Sequence, residues 1–137
     1  MDKLCTPNLN IWSDEKILAT NPLELAFVGD AVFTLHVREY IVQNHDTNTN
    51  ALSRMVSKVV NAGAQYKMFR AIEPILTEFE KELCKRARNA NIHSKAKNYS
   101  VTEYIYATAF EALVGYLYLA QKQNRLNQIL KLSMESL

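Results

Sequence analysis

At 137 residues, with 48% hydrophobic and 22% charged residues, the chain is sized for one globular domain with a substantial core. Three glycines and three prolines are too few for the turns of an all-β fold. The two cysteines, Cys5 and Cys84, lie far apart in no ligand-like spacing, which argues for a reduced compartment and against a disulfide framework or a zinc site. The formal charge is only +2, yet residues 85–97 hold five Lys/Arg and no acid, so the rest of the chain carries −3.

Residues 1–20 show little periodicity and read as an arm or a loosely attached short helix, and Met1-Asp2-Lys3-Leu4 lacks the pattern of a signal peptide. Asn21-Pro22-Leu23-Glu24 predicts a helix start, with Asn21 as N-cap, Pro22 in the first turn and Glu24 reaching back. That helix should run to about Val42, before the polar cluster Asn44-His45-Asp46-Thr47-Asn48. From Thr49 to about Ile72, Leu52, Met55, Val56, Val59 and Val60 recur at helical spacing. Gly63 marks a kink or a break there, and Pro74 ends the segment. Thr77 caps a further helix, acidic early (Glu78, Glu80, Glu82) and basic late (Lys85, Arg86, Arg88), an order that suits the helix dipole. Residues 89–99 read as a polar, basic loop. Ser100-Val101-Thr102-Glu103 is a capping-box pattern that opens the next helix. Gln121–Asn124 breaks it, and Leu126–Leu137 reads as a last amphipathic helix. The expectation is an all-α single domain, residues 1–137, of five to seven helices. The apolar run around Glu111 falls short of a membrane span, so no membrane helix is expected and a cytoplasmic location is the simplest.

Two acids stand where apolar sequence surrounds them. Asp30 follows Leu25-Ala26-Phe27-Val28-Gly29 and precedes Ala31-Val32-Phe33. Glu111 interrupts the run from Tyr104 to Ala120, in which Thr108 is the other clearly polar residue. A carboxylate withdrawn from water costs about several kcal/mol unless a cation, a proton or a metal compensates it. The two groups are expected to meet across the interior or at its rim, as a divalent-metal site on a helical scaffold. The structural alternative is an ion pair with an arginine such as Arg54 or Arg88. Gly29 beside Asp30, and Ala107 and Gly115 one turn from Glu111, leave room for a second backbone or a ligand to come close.

Phe27-Val28-Gly29-Asp30-Ala31-Val32 resembles the signature helix of the ribonuclease III catalytic domain. Ala109-Phe110-Glu111-Ala112-Leu113-Val114-Gly115-Tyr116-Leu117-Tyr118-Leu119 resembles its second acidic helix. Lys85-Arg86-Ala87-Arg88-Asn89-Ala90, continued by Lys97-Asn98 and Tyr104-Ile105-Tyr106, is similar to the basic segment of the short Mini-ribonuclease III members. The resemblance spans about residues 21–125. It implies a ribonuclease III-type endonuclease domain without a separate double-stranded-RNA-binding domain. The activity it implies is magnesium-dependent cleavage of double-stranded RNA by a homodimer, in maturation of the 23S ribosomal RNA precursor, with ribosomal proteins as candidate partners.

On this resemblance Asp30 and Glu111 are the catalytic and metal-binding (Mg2+) residues. Lys85, Arg86, Arg88, Lys95 and Lys97 are expected to contact RNA, with Arg54 and Lys58 as lesser candidates. Phe27 matches the aromatic that enters the partner subunit at the dimer interface, although an apolar residue at helical spacing is often simply core. The larger enzymes carry four metal-site carboxylates. Here Ala26 stands four residues before Asp30 and Thr108 three before Glu111, so two are matched and the number of metal ions is open. A non-catalytic RNA-binding dimer in ribosome assembly is the alternative function. His36, His45 and His93 form no ligand-like cluster, and Trp12 and the tyrosines read as packing groups.

Overall fold

Side-chain caps start most of the helices. The computed structural model describes residues 10–90 and 100–137, and among these it contains seven α-helices, one 3₁₀ turn and no strand. The helices are α1 (Asp14–Ala19), α2 (Pro22–Asn44), α3 (Thr49–Ser57), α4 (Ala62–Ile72), α5 (Glu78–Ala90), α6 (Val101–Leu119) and α7 (Gln123–Glu135), and the 3₁₀ turn is Glu73–Ile75. Asn21 Oδ1 accepts from Leu23 N at 2.9 Å, with Pro22 in the first turn of α2. Thr77 and Glu80 form a reciprocal box at the start of α5, at 2.9 and 3.1 Å. Ser100 and Glu103 do the same for α6. Each box satisfies two amide donors that a helix start leaves free.

The segment 49–72, in which Gly63 predicts a kink or a break, is two helices that part just before that glycine. Val59 and Val60 both donate to the Val56 carbonyl, which closes α3, and Asn61 Oδ1 accepts from Ala64 N at 2.9 Å to open α4. Val59 and Val60 keep packing against the core through this break. The N-terminal segment is held more firmly than an arm. Ser13 caps α1, Ile17 is fully buried, and Trp12 N donates to Leu119 O at 3.1 Å. The final helix begins at Gln123, after a turn in which Gln121 takes a φ of 54°.

Helix α6 is the axis of the fold. Between Ala107 and Leu117 every residue but Glu111 is buried, as expected of a helix apolar on all sides. It packs against α2, α4, α5 and α7, most extensively against α2. Phe33 of α2 meets Phe110 of α6 edge to face, with ring centroids 5.1 Å apart. Away from this core, Arg125 of α7 clamps α5. It donates to both oxygens of Glu80, at 3.0 and 2.7 Å, and to the Ile75 carbonyl at 2.9 Å. The sequence shows Thr77 as a cap and Glu80 as an early acid, but neither the return bond of Glu80 to Thr77 N nor this partner. Among the described residues no helix is long and apolar enough to cross a membrane.

Candidate active site

Gly29 and Gly115 set the geometry of the site. They stand where α2 crosses α6, and each lies against the other helix's backbone. A Cβ on Gly29 would overlap the carbonyl oxygen of Glu111 and come within 2.8 Å of Gly115 N. A Cβ on Gly115 would overlap the carbonyl oxygen of Leu25. Glycine is required here for close approach, as the small-residue spacing predicts, and the approach is backbone to backbone. Asp30, the next residue after Gly29, is thereby brought beside Glu111.

The two carboxyl groups are in hydrogen-bonding contact. They meet at the rim of the core: Asp30 is exposed and Glu111 half-buried. The desolvation expected for both acids therefore falls on Glu111. Burial, followed by the hydrogen bond and the negative charge of Asp30, pushes its pKa up to about 9. At neutral pH the metal-free pair holds a proton on Glu111. Neither acid is in a salt bridge among the described residues, whose ion pairs are Arg70–Glu73, Lys81–Glu78 and Arg125–Glu80. Arg88, one of the arginines in the structural alternative, instead lies over the Tyr106 ring, 5.0 Å from its centroid.

Gln65 completes the site and was missed by sequence reasoning. It is 4% exposed on α4, and its amide faces Glu111, where it favours the ionised carboxylate. Its Nε2 is nevertheless buried with no hydrogen-bond partner. A signal existed in the spacing: Gln65 shares one helical face with the buried Met68, Phe69 and Ile72. Ala26 and Thr108, where two more acids would stand in the larger enzymes, are buried, and Thr108 Oγ1 donates to the Tyr104 carbonyl at 3.0 Å. No group of three or more His, Cys, Asp or Glu suited to a metal occurs among the described residues. Two apposed carboxyls with no cation partner, open to solvent on the Asp30 side, fit a hard divalent ion that keeps most of its waters.

The basic segment divides by direction. Lys85 is exposed and Arg88 is stacked on Tyr106, whose ring also has Arg70 5.7 Å from its centroid. Arg86 turns inward, its Nη2 donating to the Leu18 carbonyl at 3.0 Å and its Nη1 buried. Lys95, Lys97 and His93 lie outside the described residues. Arg54 and Lys58 are exposed. Phe27 is 82% exposed, which removes the reading of it as a core residue. Trp12, Tyr66, Tyr106 and Tyr116 pack against other rings or the core as expected, whereas Tyr40 and Tyr118 are exposed.

The Ribonuclease III domain model matches residues 23–122, which contain the α2–α6 crossing and both acids. A Mini-ribonuclease 3 from Thermoanaerobacter is 41% identical over 93% of this chain and 90% of its own. One from Enterococcus faecalis is 44% identical over 80% of this chain and 85% of its own. The crystal structure of a Fusobacterium nucleatum protein superposes with a TM-score of 0.78 at 36% identity, covering 84% of this chain and 92% of that one. A fold built around the Gly29–Gly115 crossing and matched over this length places the chain in the ribonuclease III family of endoribonucleases, in its Mini-ribonuclease 3 branch.

Proposed function

We propose that Asp30 and Glu111 form the magnesium site of an endonuclease that cuts double-stranded RNA, with the 23S ribosomal RNA precursor as substrate in the cytoplasm. One observation carries this reading: two carboxyl groups held in contact by a glycine crossing, with no cation partner and with one face open to solvent.

A divalent ion held there supplies charge neutralisation at the scissile phosphate and a more acidic attacking water. The protein's own part is positional. Glu111 anchors from the core and must give up its proton for both acids to serve as ligands. Asp30, on the exposed side, faces the substrate. Water attack at phosphorus with departure of the 3′ oxygen leaves a 5′-phosphate and a 3′-hydroxyl. Lys85 and Arg88 supply backbone contacts, since A-form RNA is recognised mainly by shape, phosphates and 2′-hydroxyls. Phe27, on the exposed side of α2 three residues before Asp30, anchors a second copy, so that two sites face the two strands.

The test is cleavage of duplex RNA with and without Mg2+ by wild type, Asp30→Asn and Glu111→Gln, with folding followed by circular dichroism. Both variants should remain folded and lose cleavage. Cutting near the wild-type rate by either one removes that residue from the site. Sedimentation of Phe27→Ala should show monomers where wild type shows dimers, and an unchanged dimer removes Phe27 from the interface.

A further inference from the structure

Gln65 is a polar side chain in a place that needs a reason. It sits on the core face of α4, which packs along α6, and it is 4% exposed. Its Nε2 is buried with no hydrogen-bond partner. A donor left in that state destabilises the fold, a penalty that an apolar side chain of the same length avoids. The group it faces is the carboxyl of Glu111, which in the metal-free protein is engaged with Asp30.

We infer that Gln65 is a positioning residue for the metal site: its Nε2 donates to one oxygen of Glu111 and so presents the other to a divalent ion shared with Asp30. The inference rests on reading Asp30 and Glu111 as that site. An amide nitrogen has no free lone pair for a cation, so through Nε2 Gln65 acts on Glu111 rather than on the ion. Partners of this kind fix the orientation of a ligating carboxylate, and their loss weakens metal binding by on the order of 10–100-fold. The same bond explains why a donor is retained in the core: it gives the buried Nε2 a carboxyl acceptor on the neighbouring helix.

The experiment is calorimetric titration of the full chain with Mn2+, beside thermal melts without metal. Gln65→Met keeps the length of the side chain and removes the donor. It should bind Mn2+ on the order of 10–100-fold more weakly than wild type while its metal-free Tm stays equal or rises. Wild-type affinity in Gln65→Met would overturn the inference, and a fall in metal-free Tm with unchanged affinity would assign Gln65 to the scaffold instead. Gln65→Glu gives a second reading. Its carboxylate would face Glu111, lowering the metal-free Tm and enlarging the upward shift on adding Mn2+. A shift equal to that of wild type would place position 65 beyond reach of the ion. If wild type itself binds no Mn2+, the metal-site reading falls and this inference with it. If wild type binds and Gln65→Met binds equally, the role of Gln65 alone is refuted.

Discussion

Gly29→Ala tests the crossing on which the carboxylate pair depends. The added methyl would overlap the Glu111 carbonyl oxygen and stand 2.8 Å from Gly115 N. Non-bonded carbon atoms rest at roughly 3.5–4 Å, so α2 and α6 must part by on the order of 1 Å or more. Both obstacles are helix backbone, and no rotamer change relieves them. Overpacking of this kind costs about 1–3 kcal/mol, with the upper end expected where neighbours cannot move. Parting the helices also loosens the Phe33–Phe110 contact. Alanine's better helix propensity offsets roughly 1 kcal/mol. The net loss is about 2 kcal/mol, a fall in Tm of roughly 5–10 °C for a domain of this size.

Function should suffer more than stability, because a displacement of about 1 Å at the reacting centre costs on the order of 100-fold in rate. Calorimetric melts give the first quantity. Cleavage of duplex RNA well below the melting range, at saturating Mg2+, gives the second. A Tm within 1 °C or so of wild type and a rate within about twofold would refute the reasoning, since both magnitudes come from the same separation. Gly115→Ala, against the Leu25 carbonyl, demands the same movement. The double variant should therefore cost less than the two single losses added together.

The carboxylate pair predicts how stability varies with pH in EDTA. The pKa of Glu111 rises on folding from an ordinary 4.5 to about 9, so between those values the folded state binds more protons than the unfolded state. Stability then falls as pH rises through that window, and Glu111→Gln should out-melt wild type at pH 8–9 by an amount that vanishes near pH 4. Parallel melting curves across that range would contradict the pair. At the other end of the scale, Arg125→Leu strands Glu80, 3% exposed, without its guanidinium, and should cost on the order of 3–5 kcal/mol by denaturant titration. Burial raises the Glu80 pKa, but the bonds from Arg125 and Thr77 outweigh it and hold the folded value below the usual carboxylate range. That stabilisation is present above the ordinary Glu pKa and is lost as pH falls through the folded value, so the Arg125→Leu deficit should shrink in acid. Finally, Lys85→Ala and Arg88→Ala should each weaken duplex binding and flatten its dependence on salt by about one counterion. Arg86→Ala should leave the salt slope alone and lower Tm, because its guanidinium is tied to Leu18; equal slopes for all three would reject the division.

The physics that made parts of the molecule legible was local. Asn21, Thr77 with Glu80, and Ser100 with Glu103 announce helix starts because a cap is satisfied within four residues of its own backbone. Asn61 caps one too, just before Gly63, where a glycine in a helical pattern marks a kink or a break; the apolar Val59 and Val60 give no sign of where it falls. A run of charges does not say which way each side chain turns. Lys85, Arg86 and Arg88 differ because about 100° per residue carries them to solvent, to α1 and to Tyr106 in turn. Long-range partners leave still less trace: Arg125 lies 45 residues from Glu80.

The candidate site was legible where chemistry conflicted with its surroundings and illegible where it did not. Asp30 and Glu111 stood out because an acid in an apolar run demands compensation. Gln65 did not, because an uncharged amide in a helix is unremarkable until its burial and its empty donor are seen together. The glycines link the two levels. Without a Cβ at 29 and 115, the α2 and α6 backbones touch, and the residue after one glycine meets the acid one turn before the other. The same contact that gives α6 its tightest neighbour thus forces two carboxyls together at the rim. The fold bears this repulsion by leaving a proton on Glu111, and a divalent cation would stabilise the native state by displacing that proton.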